Sequence, residues 1–350
     1  MRYRGSLAVW IALIAYASLY PFAPLRLPPA DALGAFLARP RYTLEFDVVL
    51  NVIAYIPLGL LARLHFASRP RRAPPLALAI GLGAGLSLAM ELAQLFIPNR
   101  VASIQDVAAN AGGAAIGALL FADPVYSLAT RRLGALRESL LAPGAWGDAG
   151  VMLLALWLIA QLNPALPFFG AGNIASSGLA SQEVGVLQWA AVGISVCGFG
   201  LFVSALLRTD QGSLRTTLAL LSVALWLKFM AASFMLQPHF AEDWLSAGRV
   251  VGLAAGIGAL IPLRRLPRLA RIYLAFVLLL AGALFSKIFG AYSAIEELVK
   301  LFRWPYGQLA GFATLTRFLH EGWAFLAVAY LIALFFHERR ERSHSGIIQQ

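Results

Sequence analysis

Three polar pairs interrupt apolar runs in the first third of the chain. Asp47 and Asn51 lie four apart in FDVVLNVIAYIPLG; Ser87, Glu91 and Gln94 follow in SLAMELAQLFIP; Asp106 and Asn110 lie four apart in SIQDVAANAGG. Residues three, four or seven apart share one face of a helix, so each group presents its polar atoms together. Carboxylates beside carboxamides can serve two ends. They can hold a cation or a donor-rich ligand through oxygen, or they can hydrogen-bond between helices and fix their register. Arg100, in the turn IPNRVAS, is the expected counter-charge. An ionised side chain at membrane depth costs about 2.5–3.5 kcal/mol unless it is paired or wetted. Asp47, Asn51, Glu91, Gln94, Arg100, Asp106 and Asn110 are therefore the candidate ligand-binding set, with a purely structural clasp as the alternative.

A second set lies further along. Lys228 falls deep in an apolar run, and Arg317, His320 and Glu321 open the last one. An intramembrane lysine is a functional candidate by default; the structural alternative is a Lys–Glu pair or a stem that snorkels to the interface. Trp226, Trp244, Trp304 and Trp323 read as interfacial belt residues rather than a cofactor box. KIFGAYSAIEELVKLFRWPYGQ mixes charge and apolar residues at helical spacing, as an amphipathic surface helix does. The five histidines show no ligand spacing and Cys197 is the single cysteine, so no thiolate metal site or internal disulfide is expected. No catalytic residue, metal or cofactor is assigned.

These residues must be positioned by membrane helices. Of the 350 residues 60% are apolar and 13% charged, too few charges to cover a soluble protein of this size, and mean hydropathy is +0.74. About 20 mainly apolar residues cross a bilayer. Ten such stretches occur, near 6–22, 46–66, 75–97, 104–122, 149–166, 184–207, 214–236, 248–263, 270–290 and 316–337. The fourth and eighth are Ala/Gly-rich and suited to central packing. The first follows a basic start and is read as an uncleaved span rather than a signal peptide.

The net charge of +11 suggests nucleic acid, but the basic residues lie in short loops between spans, where they set topology. With the N-terminus inside, 18 of the 28 Lys and Arg fall in inside segments and 7 in outside ones. The expected fold is thus an all-α polytopic membrane protein of about ten transmembrane helices, N-in and C-in, a four-helix bundle followed by a six-helix bundle. That orientation brings the three polar pairs to the outer side. Glu91 would lie roughly 9 Å below the end of its helix, at about 1.5 Å per residue.

The order SLYPF, FDVVLNVIAYIPLG and ELAQLFIPNRVASIQDVAANAGGAAIG resembles the VanZ-like membrane family over residues 6–122. The matching positions are Asn51, Pro57 and Gly59; Glu91 and Gln94; Pro98 and Arg100; Asp106, Asn110 and Gly113. The expected layout is a VanZ-like four-helix domain at 1–125, a cytoplasmic linker at 126–148, a six-helix domain at 149–338 and a cytoplasmic tail at 339–350 that reads as disordered. The family's founding member is linked to teicoplanin resistance, so the resemblance implies an envelope role. The leading expectation is a protein of the inner (cytoplasmic) membrane, more an accessory than an enzyme, whose outward pocket binds a lipid or a cell-wall-linked headgroup. A transporter or flippase is the alternative, and an intramembrane metal-dependent enzyme the second. Expected partners are membrane lipids and a lipid-linked envelope precursor, with no nucleic acid; oligomeric state is left open.

Overall fold

The computed structural model describes residues 3–38, 45–68, 73–98, 100–120, 131–132, 134–135, 137–142, 144–169, 181–209, 212–237, 247–289, 300–302 and 309–347, with some side chains at helix ends excepted. The named elements among them are all helices, and the chain is an all-α polytopic membrane protein. It divides into two compact units, Met1–Ala135 with Tyr306–Leu315, and Leu136–Pro305 with Thr316–Gln350.

The first unit contains α1 (Arg4–Leu19), α2 (Ala32–Leu37), α3 (Glu45–Ala67), α4 (Pro75–Gln94) and α5 (Ile104–Leu119). Local chemistry sets their ends. Tyr20 precedes Pro21, which disfavours helical ψ, and Tyr20 is extended at ψ 135°. Pro75 opens α4, where a missing N–H costs nothing. Pro57 lies inside α3, as membrane helices tolerate. The closest packing is between α3 and α5. A Cβ on Gly113 or Gly117 would collide with the Val52 or Ile56 carbonyl of α3, and one on Gly59 with the Ala114 carbonyl of α5. Small residues thus let two backbones touch where lipid supplies no hydrophobic drive. Leu7, Ile14, Tyr55, Leu58, Ala62, Ala79, Ala114 and Ala118 form the core.

The second unit contains α6 (Gly144–Gln161), α7 (Ser181–Leu206), α8 (Ser213–Met235), α9 (Ala247–Leu263), α10 (Arg268–Phe289) and most of α11 (Leu309–Ile347). α7 is its central helix: 72% of Trp189–Leu206 is buried, against 28–39% for the spans of α6, α8, α10 and α11. α9 and α10 pack on it, and a Cβ on Gly252 or Gly256 of α9 would press into α7 backbone.

Every expected span falls on one of these helices. Seven, α3, α4, α6, α7, α8, α10 and α11, are long and apolar enough to cross a membrane among the described residues. The other three are short, at 16 residues for α1 and α5 and 17 for α9. Two expectations need correction. The last segment does not end in an irregular tail, because α11 continues to Ile347, with His337 and Glu341 3.4 Å apart one turn along it. Trp323 is not a belt residue: it is buried at 5% exposure, packed at a tilt against other rings, and donates to the Leu153 carbonyl at 2.6 Å. Trp226 is 60% exposed, as a belt residue is, whereas Trp244, Trp304 and most of the amphipathic stretch lie outside the described residues.

The α3–α5 contact yields a prediction. Gly117→Ala should destabilise the purified protein by about 1–3 kcal/mol, as overpacking does. Gly85→Ala, where a Cβ meets nothing within 4 Å, should be neutral or stabilising by up to about 1 kcal/mol. Thermal unfolding in detergent compares the two.

Candidate functional site

The polar cluster of the first unit is built around two helix ends. The last carbonyls of a helix lack intrahelical donors. At the end of α1 they are met by side chains from the α4–α5 region. Arg100 Nη2 donates to Ala17 O at 3.0 Å and to Tyr20 O at 2.9 Å, while its Nε donates to Tyr20 O at 3.1 Å. Gln94 Nε2 donates to Ser18 O at 3.0 Å. A guanidinium suits this position because a helix C-terminus carries partial negative charge. Burial draws the Arg100 pKa down, and the neighbouring Glu91 carboxylate opposes that shift.

The other end is the start of α5. Ser103 caps it, its Oγ accepting from the Gln105 N–H at 3.1 Å. The Ser103 N–H in turn donates to Glu91 Oε2 at 2.9 Å, so a carboxylate on α4 sits at the positive end of α5. Glu91 is 2% exposed, and Asp106 and Arg100 both act on it electrostatically. One turn back along α4, Ser87 accepts from Asn110 Nδ2 at 2.9 Å. Ser87 also neighbours the Tyr55 hydroxyl of α3. Asn51 precedes Tyr55 by four residues and so shares its face.

Four polar atoms in this cluster are buried without a hydrogen-bond partner: Asn51 Nδ2, the Tyr55 hydroxyl, Gln94 Oε1 and Asn110 Oδ1. The Asn51 nitrogen is a donor, the two carboxamide oxygens are acceptors and the phenol is both. Residues 6–127 match the VanZ/LLP1 family model. The N-terminal region is VanZ-like. No curated protein and no solved structure matches the chain.

In the VanZ-like region the structure gathers Glu91, Gln94, Arg100, Asp106 and Asn110, with Asn51 on the adjoining face of α3. The side chain of Asp47 lies outside the described residues. Arg100 does more than supply the expected counter-charge: besides its electrostatic interaction with Glu91 it holds the end of α1, while the Glu91 carboxylate accepts from a backbone amide. Sequence reading missed Ser103, although S-x-x-D from Ser103 to Asp106 is a helix-start signal. It also missed the α1 carbonyls, which no side-chain pattern announces.

The second candidate set is dispersed differently. Lys228 is fully buried and donates to the Asn163 carbonyl at 2.8 Å, so it neither pairs with a glutamate there nor snorkels. Asn163 is itself fixed, its Nδ2 donating to Thr316 Oγ1 at 2.9 Å and its Oδ1 accepting from the Ala165 N–H at 3.0 Å. Glu321 bridges two cations, Arg317 at 2.7 Å and Lys287 at 2.6 Å. His320 lies alongside, within electrostatic reach of Lys228 and Glu321. Lys287 was not among the expected site residues; from the sequence it falls within the ninth apolar run, at the start of the amphipathic stretch. Among the described residues, no three of His, Cys, Asp and Glu gather as metal ligands.

Arg100→Ala should lower stability by about 1.5–3 kcal/mol or more, since it leaves the α1 carbonyls without charged donors. Arg100→Lys should recover part of this, because one ammonium does not reproduce the planar fork that spans two carbonyls. Denaturation of the detergent-solubilised protein measures both.

Proposed function

We propose that this integral membrane protein acts in the cytoplasmic membrane, N-terminus inside, as an envelope protein whose VanZ-like cluster receives the polar headgroup of a lipid or a lipid-linked cell-wall precursor. One observation carries the reading. Asn51 Nδ2, the Tyr55 hydroxyl, Gln94 Oε1 and Asn110 Oδ1 stay unpartnered among the described residues, although Gln94 and Asn110 each bond through their other amide atom. A buried unmet polar atom costs about 1–3 kcal/mol. A ligand carrying both donors and acceptors recovers that cost. The neighbouring carboxylates, Glu91 and Asp106, favour a ligand face rich in hydroxyl or amine donors, as sugar and amino-sugar headgroups are. By this reading glycopeptide tolerance follows from occupancy of an envelope precursor rather than from chemistry on the drug.

A structural clasp is the second reading, and the bonds from Arg100 and Ser103 favour it. Asn51→Leu separates the two. It removes the unmet donor at similar volume, so a clasp tolerates it or gains stability. A headgroup site loses function. The expected outcome is an unchanged unfolding midpoint together with loss of co-purified lipid, read by mass spectrometry, and loss of any teicoplanin tolerance that the wild-type chain confers on a susceptible host. If wild-type and Asn51→Leu proteins retain the same lipid and the same tolerance, the headgroup reading fails.

A further inference from the structure

The second unit holds a small pocket, partly open to the outside, that the VanZ-like region does not explain. Its inner wall is aromatic. Trp157 of α6 and Trp323 of α11 face it together with Phe169, and Trp157 stacks on Phe199 with ring centroids 4.2 Å apart. Phe169 holds φ +48°, a left-handed conformation that is costly for a bulky residue. Its ring packs against Trp157 and Phe199, which keeps it at the wall. Strained residues of this kind cluster at ligand sites.

The polar groups are few and complementary. Gln161 is 2% exposed and lines the cavity, and its Oε1 has no hydrogen-bond partner. It asks for a donor. Ser195 also lines it, packed against Gly282, where any Cβ would strike its hydroxyl. At the opening Lys287 is 45% exposed, and both oxygens of Glu321 are engaged, one by Lys287 and one by Arg317. Two cations on one carboxylate leave a net positive charge. An aromatic wall with a carboxamide oxygen also suits an ammonium group. That local excess of positive charge repels one, however, so a neutral hydroxyl is the better donor for Gln161.

We propose that this cavity binds a glycerol phosphate group, its phosphate at Lys287 and its hydroxyls at Gln161 and Ser195 against the ring faces. The group comes either from a phosphatidylglycerol headgroup or from a free glycerol phosphate. The site lies wholly in the second unit and does not depend on the headgroup reading of the VanZ-like cluster.

Full-length protein in detergent is incubated separately with phosphatidylglycerol, phosphatidylethanolamine and glycerol 3-phosphate, and bound species are counted by native mass spectrometry. Phosphatidylglycerol should be retained about tenfold better than phosphatidylethanolamine, a factor of ten being about 1.4 kcal/mol. Gln161→Leu and Lys287→Gln should each remove that preference with an unchanged unfolding midpoint, and Lys287→Arg should restore it. Asn51→Leu should leave it intact. Displacement of the lipid by millimolar glycerol 3-phosphate supports the shared chemistry and makes the soluble ester a ligand; retention of the lipid against it, with the preference intact, assigns the site to the bilayer. Equal retention of the two lipids, or a preference that survives Gln161→Leu, overturns the proposal. Should Lys287→Gln fail to fold, the Gln161→Leu and Lys287→Arg proteins decide alone.

Discussion

The carbonyls that end α1 set the terms for the whole polar cluster. Away from water, a backbone group left unmet costs several kcal/mol. The chain answers with a cation and an amide from a different part of the bundle: Arg100 on Ala17 O and Tyr20 O, Gln94 on Ser18 O. The second unit repeats the device. Arg268 donates to Ala205 O and Leu207 O at 3.0 Å each, at the end of α7, while its Nε contacts Glu338 at 2.7 Å. An arginine fork fits this duty because its donors are planar and fixed. In the VanZ-like region the placement of the remaining polar groups follows from it, since Arg100 brings a charge that Glu91 balances from α4.

Close backbone packing is the second constraint, and it couples to the first. Lipid tails are as apolar as leucine, so helices associate through contact density rather than exclusion from water. Gly113 and Gly117 set α5 against the α3 backbone. That contact holds Asn110, three residues before Gly113, within reach of Ser87, and it leaves Asn51 and Tyr55 of α3 facing the same side. The amino end of α5 then falls where Glu91 can accept from the Ser103 amide. Packing at the small residues and charge placement at the helix ends are thus two results of one geometry.

The helices were legible in the sequence because the bilayer demands length and apolarity, and both show in a single strand of text. The polar pairs were legible too, since i, i+4 spacing survives into any helix. Roles were not. Arg100 reads as a counter-ion because charge is visible in sequence, while the carbonyls it also serves belong to every residue alike and carry no signature. Trp323 reads as a belt residue because indole favours interfaces, yet the stack it enters depends on Trp157 and Phe199 arriving from two other helices. Lys287 and Gln161 were passed over for the same reason: their meaning comes from the cavity they line, which three-dimensional packing creates.

The distinction between clasp and site is one of atoms rather than residues. Gln94 spends its amide nitrogen on Ser18 O and keeps its oxygen unmet; Asn110 spends its nitrogen on Ser87 and keeps its oxygen unmet. A carboxamide used only as a clasp gains nothing from the second, buried atom, and an unmet acceptor offsets much of what the first bond contributes. On the headgroup reading, each side chain therefore has a structural half and a half left for the ligand. The structural halves hold α1, α4 and α5 in register, and that register is what keeps the available halves aimed. Binding at such a site needs little reordering of side chains, because their positions are fixed before a ligand arrives.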